Sequence, residues 1–275
     1  MSSIATVAPA TASPIAMLAQ ATWLEARHGR LLVMLAMLVL AGLGCRWFVA
    51  AMAMIESADS AISLTAPLMR LTAVVVIAAV SVSVIGRELT ERRIETALSA
   101  PIARSVWVLG RFGGLAIMGV PTALAAGLPL AATDRLVSWL AWTTSLMLEL
   151  WLTAALALAV TIALRRPAAS LLATLVFYLC SRAIGVIDML AASGGLTDGD
   201  AGGGPAQWFT GLLALILPRL DFFAPTGWLL DSPAAGAQAL ASTMGWGMVQ
   251  GLAQCLLYLT LLLLVACRDV DREFD

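Results

Sequence analysis

Apolar residues in this chain run on without the in-out alternation of a half-buried strand, and polar residues collect in short breaks between the runs. Residues 31–54, 67–86, 112–132, 136–164, 168–190 and 237–266 each pass the roughly 18-residue length that a membrane-spanning helix needs. Continuous rather than alternating runs exclude a transmembrane β-barrel. The pattern predicts an all-α polytopic membrane protein with six transmembrane helices. Residues 15–30 set Met17, Leu18, Trp23 and Leu24 against Glu25, Arg27, His28 and Arg30, which predicts an amphipathic helix in the head-group plane. Residues 1–14 have neither a basic start nor an apolar stretch, so a disordered tail is expected there and not a secretory signal. Residues 15–275 read as a single transmembrane domain.

The breaks carry their own information. Thr133-Asp134-Arg135 reads as a tight turn, and Arg165-Arg166-Pro167 ends one span and starts the next, since proline suits the first turn of a helix. Residues 191–207 are glycine-rich and contain Asp198 and Asp200, the composition of a loop. Residues 208–231 hold two apolar pieces too short to span, separated by Pro218-Arg219, and are expected as a re-entrant or interfacial insertion.

Composition agrees: 61% of the residues are hydrophobic and 12% charged, against roughly 25% charged in a soluble domain. Cytoplasmic loops are enriched in basic residues. With both termini cytoplasmic, Arg27, Arg30, Arg87, Arg92, Arg93, Arg104, Arg111, Arg165, Arg166, Arg268 and Arg272 share the cytoplasmic side. Glu56, Asp59, Asp134, Asp198, Asp200, Asp221 and Asp231 then fall on the outer side. A net charge of −1 leaves no nucleic-acid footprint. His28 is the only histidine, and Cys45, Cys180, Cys255 and Cys267 form no CxxC pair. Neither a catalytic site nor a metal site is expected, nor a soluble domain, so any energy source must be another polypeptide.

The densest charge lies between the second and third spans, from Arg87 to Arg104. Glu88 and Arg92 stand i,i+4 in the favourable order for a helical pair, and Leu89, Ile94 and Leu98 fall on one side. A short amphipathic helix over 87–98 is expected, broken at Ser99-Ala100-Pro101 because the residue before proline avoids the α region, with a second helix over 102–111 leading into the third span. Glu95-Thr96-Ala97-Leu98-Ser99-Ala100-Pro101-Ile102-Ala103-Arg104, followed by Gly110-Arg111, resembles the first cytoplasmic loop of ABC-2-type transporter permeases. The closest likeness is to those grouped with multicopper-enzyme-maturation permeases. The motif covers about 25 residues. The order of interfacial helix, six spans, short insertion before the last span and charged tail ending Arg272-Glu273-Phe274 extends the likeness.

That resemblance implies a permease subunit in a bacterial cytoplasmic membrane, working as an exporter or on an extracytoplasmic partner. It implies two permease copies, homo- or heterodimeric, surrounded by membrane lipid, with ATP and Mg bound by a separate ATP-binding subunit. Glu88, Glu91, Arg92, Glu95, Pro101 and Arg104 would form the helix that docks on that subunit, and Arg165 and Arg166 a smaller second contact. The 208–231 insertion would be the outer gate, with Trp208, Phe222, Phe223 and Trp228 as its anchors. A non-transporting scaffold that binds a cytoplasmic partner would use the same face, and the residues alone leave that alternative open. An intramembrane enzyme finds no nucleophile–histidine pair in the chain.

Within the spans, Glu149 lies mid-run, where a carboxylate is costly and a functional candidate by default. Arg182 and Arg46 are its expected partners. Arg70 and Asp188, near span ends, are expected to snorkel. Gly247 and Gly251, and the group Gly110, Gly113 and Gly114, predict close helix approaches.

Overall fold

The computed structural model describes residues 14–28, 31–52, 57–90, 104–131, 136–192 and 252–270, with Pro218, Leu220 and Leu229. Among them the regular structure is entirely helical: α1 (Pro14–His28), α2 (Leu31–Met52), α3 (Ser57–Thr90), α4 (Arg104–Gly127) continued by a 3-10 turn (Leu128–Leu130), α5 (Leu136–Leu164), α6 (Pro167–Ala192) and α7 (Leu252–Val270). Six of these, α2 to α7, are long and apolar enough to cross a membrane. The protein is an all-α multi-pass membrane protein.

Burial sorts the helices into a centre and a rim. The long apolar stretch of α5 is the most enclosed and that of α2 the least. Around α5 stand α3, α4 and α6, and α2 leans on α3. Small residues make the centre tight: Ala154, Ala155 and Ala157 of α5 and Ala66, Ala73 and Ala78 of α3 are buried. Without a hydrophobic drive between helices in lipid, close backbone approach through such residues is what holds a bundle together. Polar tips reach across as well. Trp139 Nε1 donates to Gly127 O at 2.7 Å and Trp151 Nε1 to Ala116 O at 2.9 Å, tying α5 to α4. On the rim, Val33, Met37, Leu40, Leu43 and Trp47 of α2 point outward. In water such a face would be a liability. In a bilayer it is the surface that lipid requires.

Three boundaries differ from the sequence expectation. α3 begins at Ser57, with Pro67 inside the helix and not at its start. Neighbouring helices and local adjustment make an interior proline tolerable in a span. α4 begins at Arg104, so the second helix expected after Pro101 is one helix with the third span, and Trp107 and Val108 are buried in the core. α7 carries on past residue 266, through Arg268 and Asp269, to Val270.

Candidate functional site

Among the described residues, two charged sites lie inside the bundle. The first is centred on Glu149, in the middle of α5 and 1% exposed. Its Oε1 accepts a hydrogen bond from Tyr178 OH of α6 at 3.0 Å and stands 3.8 Å from Arg182 Nη1. Its Oε2 stands 3.6 Å from Arg70 Nε of α3. Arg182 also donates to Leu220 O at 2.7 Å. The Arg70 guanidinium lies over the Trp142 ring, 5.6 Å from its centroid, a cation–π distance. Three helices thus converge on one carboxylate, and the charges that make the layer costly in lipid hold one another.

Of the two partners expected for Glu149, Arg182 is beside it and Arg46 is not. Arg46 Nη1 donates to Pro129 O at 2.6 Å. The 3-10 turn at the end of α4 leaves carbonyls without helical donors, and Gly42, one turn before Arg46, brings α2 close enough to serve one. A methyl group at Gly42 would stand 2.5 Å from Pro129 Cγ. Arg70 corrects the expectation of a snorkelling side chain: it is 2% exposed and faces Glu149. With the helix starting at Ser57, Arg70 lies about 20 Å of helix from that end, beyond the reach of its side chain. The i, i+7 spacing of Trp142 and Glu149 on one face of α5 was a usable signal for this layer.

The second site closes the neck of the charged segment. Glu88, near the end of α3, is 3% exposed and ion-paired with Arg111 Nη2, near the start of α4. Arg111 Nη1 donates to Thr22 Oγ1 at 2.7 Å and lies 4.0 Å from Glu25 Oε2, both on α1. Glycines allow α1 to come this near. A methyl group at Gly110 would sit 2.6 Å from Leu18 Cβ, and one at Gly114 would overlap Thr22 Cβ and stand 2.9 Å from Ala19 O. Glu88 is therefore turned inward, onto Arg111. A buried carboxylate needs a fixed cation, and Arg111 is already held by two residues of α1.

Arg104 opens α4 and is half-buried. Arg165 and Arg166 are exposed between α5 and α6, with Arg165 in the left-handed region at φ 53° and its N–H still bonded to Thr161 O at 3.0 Å. Glu91, Arg92, Glu95 and Pro101 lie outside the described residues, as do Trp208, Phe222, Phe223 and Trp228. Among the described residues no three His, Cys, Asp or Glu side chains converge as metal ligands would.

An apolar crevice adjoins the Glu149 layer. Leu152, Leu156, Phe177, Tyr178, Tyr258 and Leu262 line a small, partly open apolar crevice between α5, α6 and α7, together with Leu220. Tyr178 lines the crevice and donates its hydroxyl hydrogen to Glu149. No protein-family model matches the chain, and no curated protein matches it either.

Proposed function

We propose that the chain is the permease subunit of an ABC transporter of the ABC-2 type, moved by a separate ATP-binding subunit that docks on residues 91–104. The observation that carries this reading is the place of the motif: it joins the end of α3 to the start of α4, and both helices pack on the central α5. The Glu88–Arg111 pair clasps the two helices where the segment leaves them, and α1 is pinned to the same arginine. A push on the segment then travels as rigid-body motion of packed helices, the usual form of such transitions. Along α3, Glu88 and Arg70 are about 27 Å apart, so one continuous helix links the docking end to the buried charges. The test is a photoreactive residue at position 95, with a control at Trp47 on the outward face of α2. The reading expects an ATP-binding subunit to be captured from 95 and not from 47. Equal capture, or none from 95, would refute it.

A further inference from the structure

The polar atoms around Arg70 do not account for one another. All three of its side-chain nitrogens are buried without a hydrogen-bond partner, although the side chain is only 3% exposed. Its contact with Glu149 is a charge contact at 3.6 Å, and Glu149 Oε2 accepts no hydrogen bond. The same is true of Trp142 Nε1 and Ser145 Oγ. Trp142, Ser145 and Glu149 fall on one face of α5 by their spacing, and the Trp142 ring lies against the guanidinium. Native proteins rarely leave one buried donor unserved; here an arginine, an indole and a hydroxyl are unserved in one layer of an apolar bundle.

The set is unbalanced toward donors. Arginine has five N–H groups and no acceptor, indole one N–H, and a hydroxyl can donate. A group of that kind fits an oxyanion, and the guanidinium fork matches phosphate or carboxylate geometry. Counting only Arg70, Arg182 and Glu149, one further negative charge brings the three to neutrality. The crevice between α5, α6 and α7 is lined in part by Tyr178, whose hydroxyl donates to Glu149. The carboxylate therefore touches a residue of the crevice with Oε1 and Arg70 with Oε2.

We propose that Arg70, with Trp142 Nε1 and Ser145 Oγ, is a binding site for an oxyanion of the phosphate or carboxylate class, with Glu149 as the resident counter-ion that bound anion partly displaces. The anion is either a small free ion or the head of an amphiphile whose apolar part lies in the crevice. The inference stands on these side chains and holds whether or not an ATP-binding subunit partners the chain.

The experiment is calorimetric titration of the full-length chain, in an uncharged detergent, with octyl phosphate and with inorganic phosphate. At least one probe binds the native chain on this account. Arg70→Gln weakens that binding about tenfold or more, the size of one lost charge-assisted hydrogen bond. Glu149→Gln keeps an acceptor for Tyr178 and removes the competing charge, so it tightens binding, a gain that misfolding cannot mimic. Octyl phosphate binding without inorganic phosphate supports the site and identifies an amphiphile head; equal binding of both supports it and identifies a small anion. Absence of binding to both the native chain and Glu149→Gln would mean that ordered water alone serves Arg70, and would overturn the proposal. So would affinity that neither substitution changes.

Discussion

Glu149 is the residue on which most depends at the smallest scale. Removing one partner of a buried ion pair leaves the other uncompensated, at a cost of about 3–5 kcal/mol. Glu149→Ala should therefore lower the stability of the purified chain by about that amount, read as thermal unfolding in detergent. Tyr178→Phe removes only a hydrogen bond to the carboxylate, and a loss of about 1–3 kcal/mol is expected from the same measurement. If both substitutions leave unfolding unchanged, the carboxylate is not held as described. The sequence made Glu149 conspicuous, because a carboxylate amid Leu148 and Leu150 is costly in a membrane span and calls for a partner. It did not make Arg70 conspicuous. With Pro67 taken as the start of a span, Arg70 sits three residues inside and looks able to reach the surface. Once the helix runs through Pro67 from Ser57, the same arginine is deep in the bundle. One wrong inference about a proline thus hid the partner of the most prominent residue in the chain.

At the scale of elements, the approach of α1 to α4 rests on glycine. A methyl at Gly114 meets Thr22 Cβ and the Ala19 carbonyl, neither of which can rotate away. Gly114→Val should separate the helices and cost about 1–3 kcal/mol, the range of overpacking, and a disulfide engineered between α1 and α4 should form more slowly. Gly44→Ala is the control, since nothing lies within 4 Å of its would-be methyl, and no loss is expected. The turn between α5 and α6 offers the opposite sign. Arg165 holds a left-handed backbone that costs a non-glycine residue about 1–2 kcal/mol, so Arg165→Gly should raise the unfolding temperature. Boundaries at α5 were legible in the sequence because a charged turn precedes it and Arg165-Arg166-Pro167 follows. At the start of α4 a helix was legible, but not its burial, because Arg104 and Arg111 look like surface charges until Glu88 and Glu25 are seen beside Arg111. Charge neutralised by another helix leaves no mark on the local pattern.

For the whole molecule, among the described residues, six apolar helices hold a charged layer around Glu149, and a second ion-paired site joins the end of α3 to the start of α4. The six spans were readable from hydropathy alone, since lipid forces every spanning segment to declare itself. The contacts that join the spans depend on single side chains, and hydropathy says nothing about those. The central claim is that a separate ATP-binding subunit works this bundle through the segment between α3 and α4. It is tested most directly by purifying the chain from its native membrane and identifying its soluble companions by mass spectrometry, beside a variant carrying Glu91→Ala, Glu95→Ala and Arg104→Ala. The account predicts an ATP-binding subunit retained by the native chain and lost from the variant, with both chains still in the membrane. No ATP-binding subunit on the native chain, or equal retention on both, would contradict it and leave a scaffold in place of a permease.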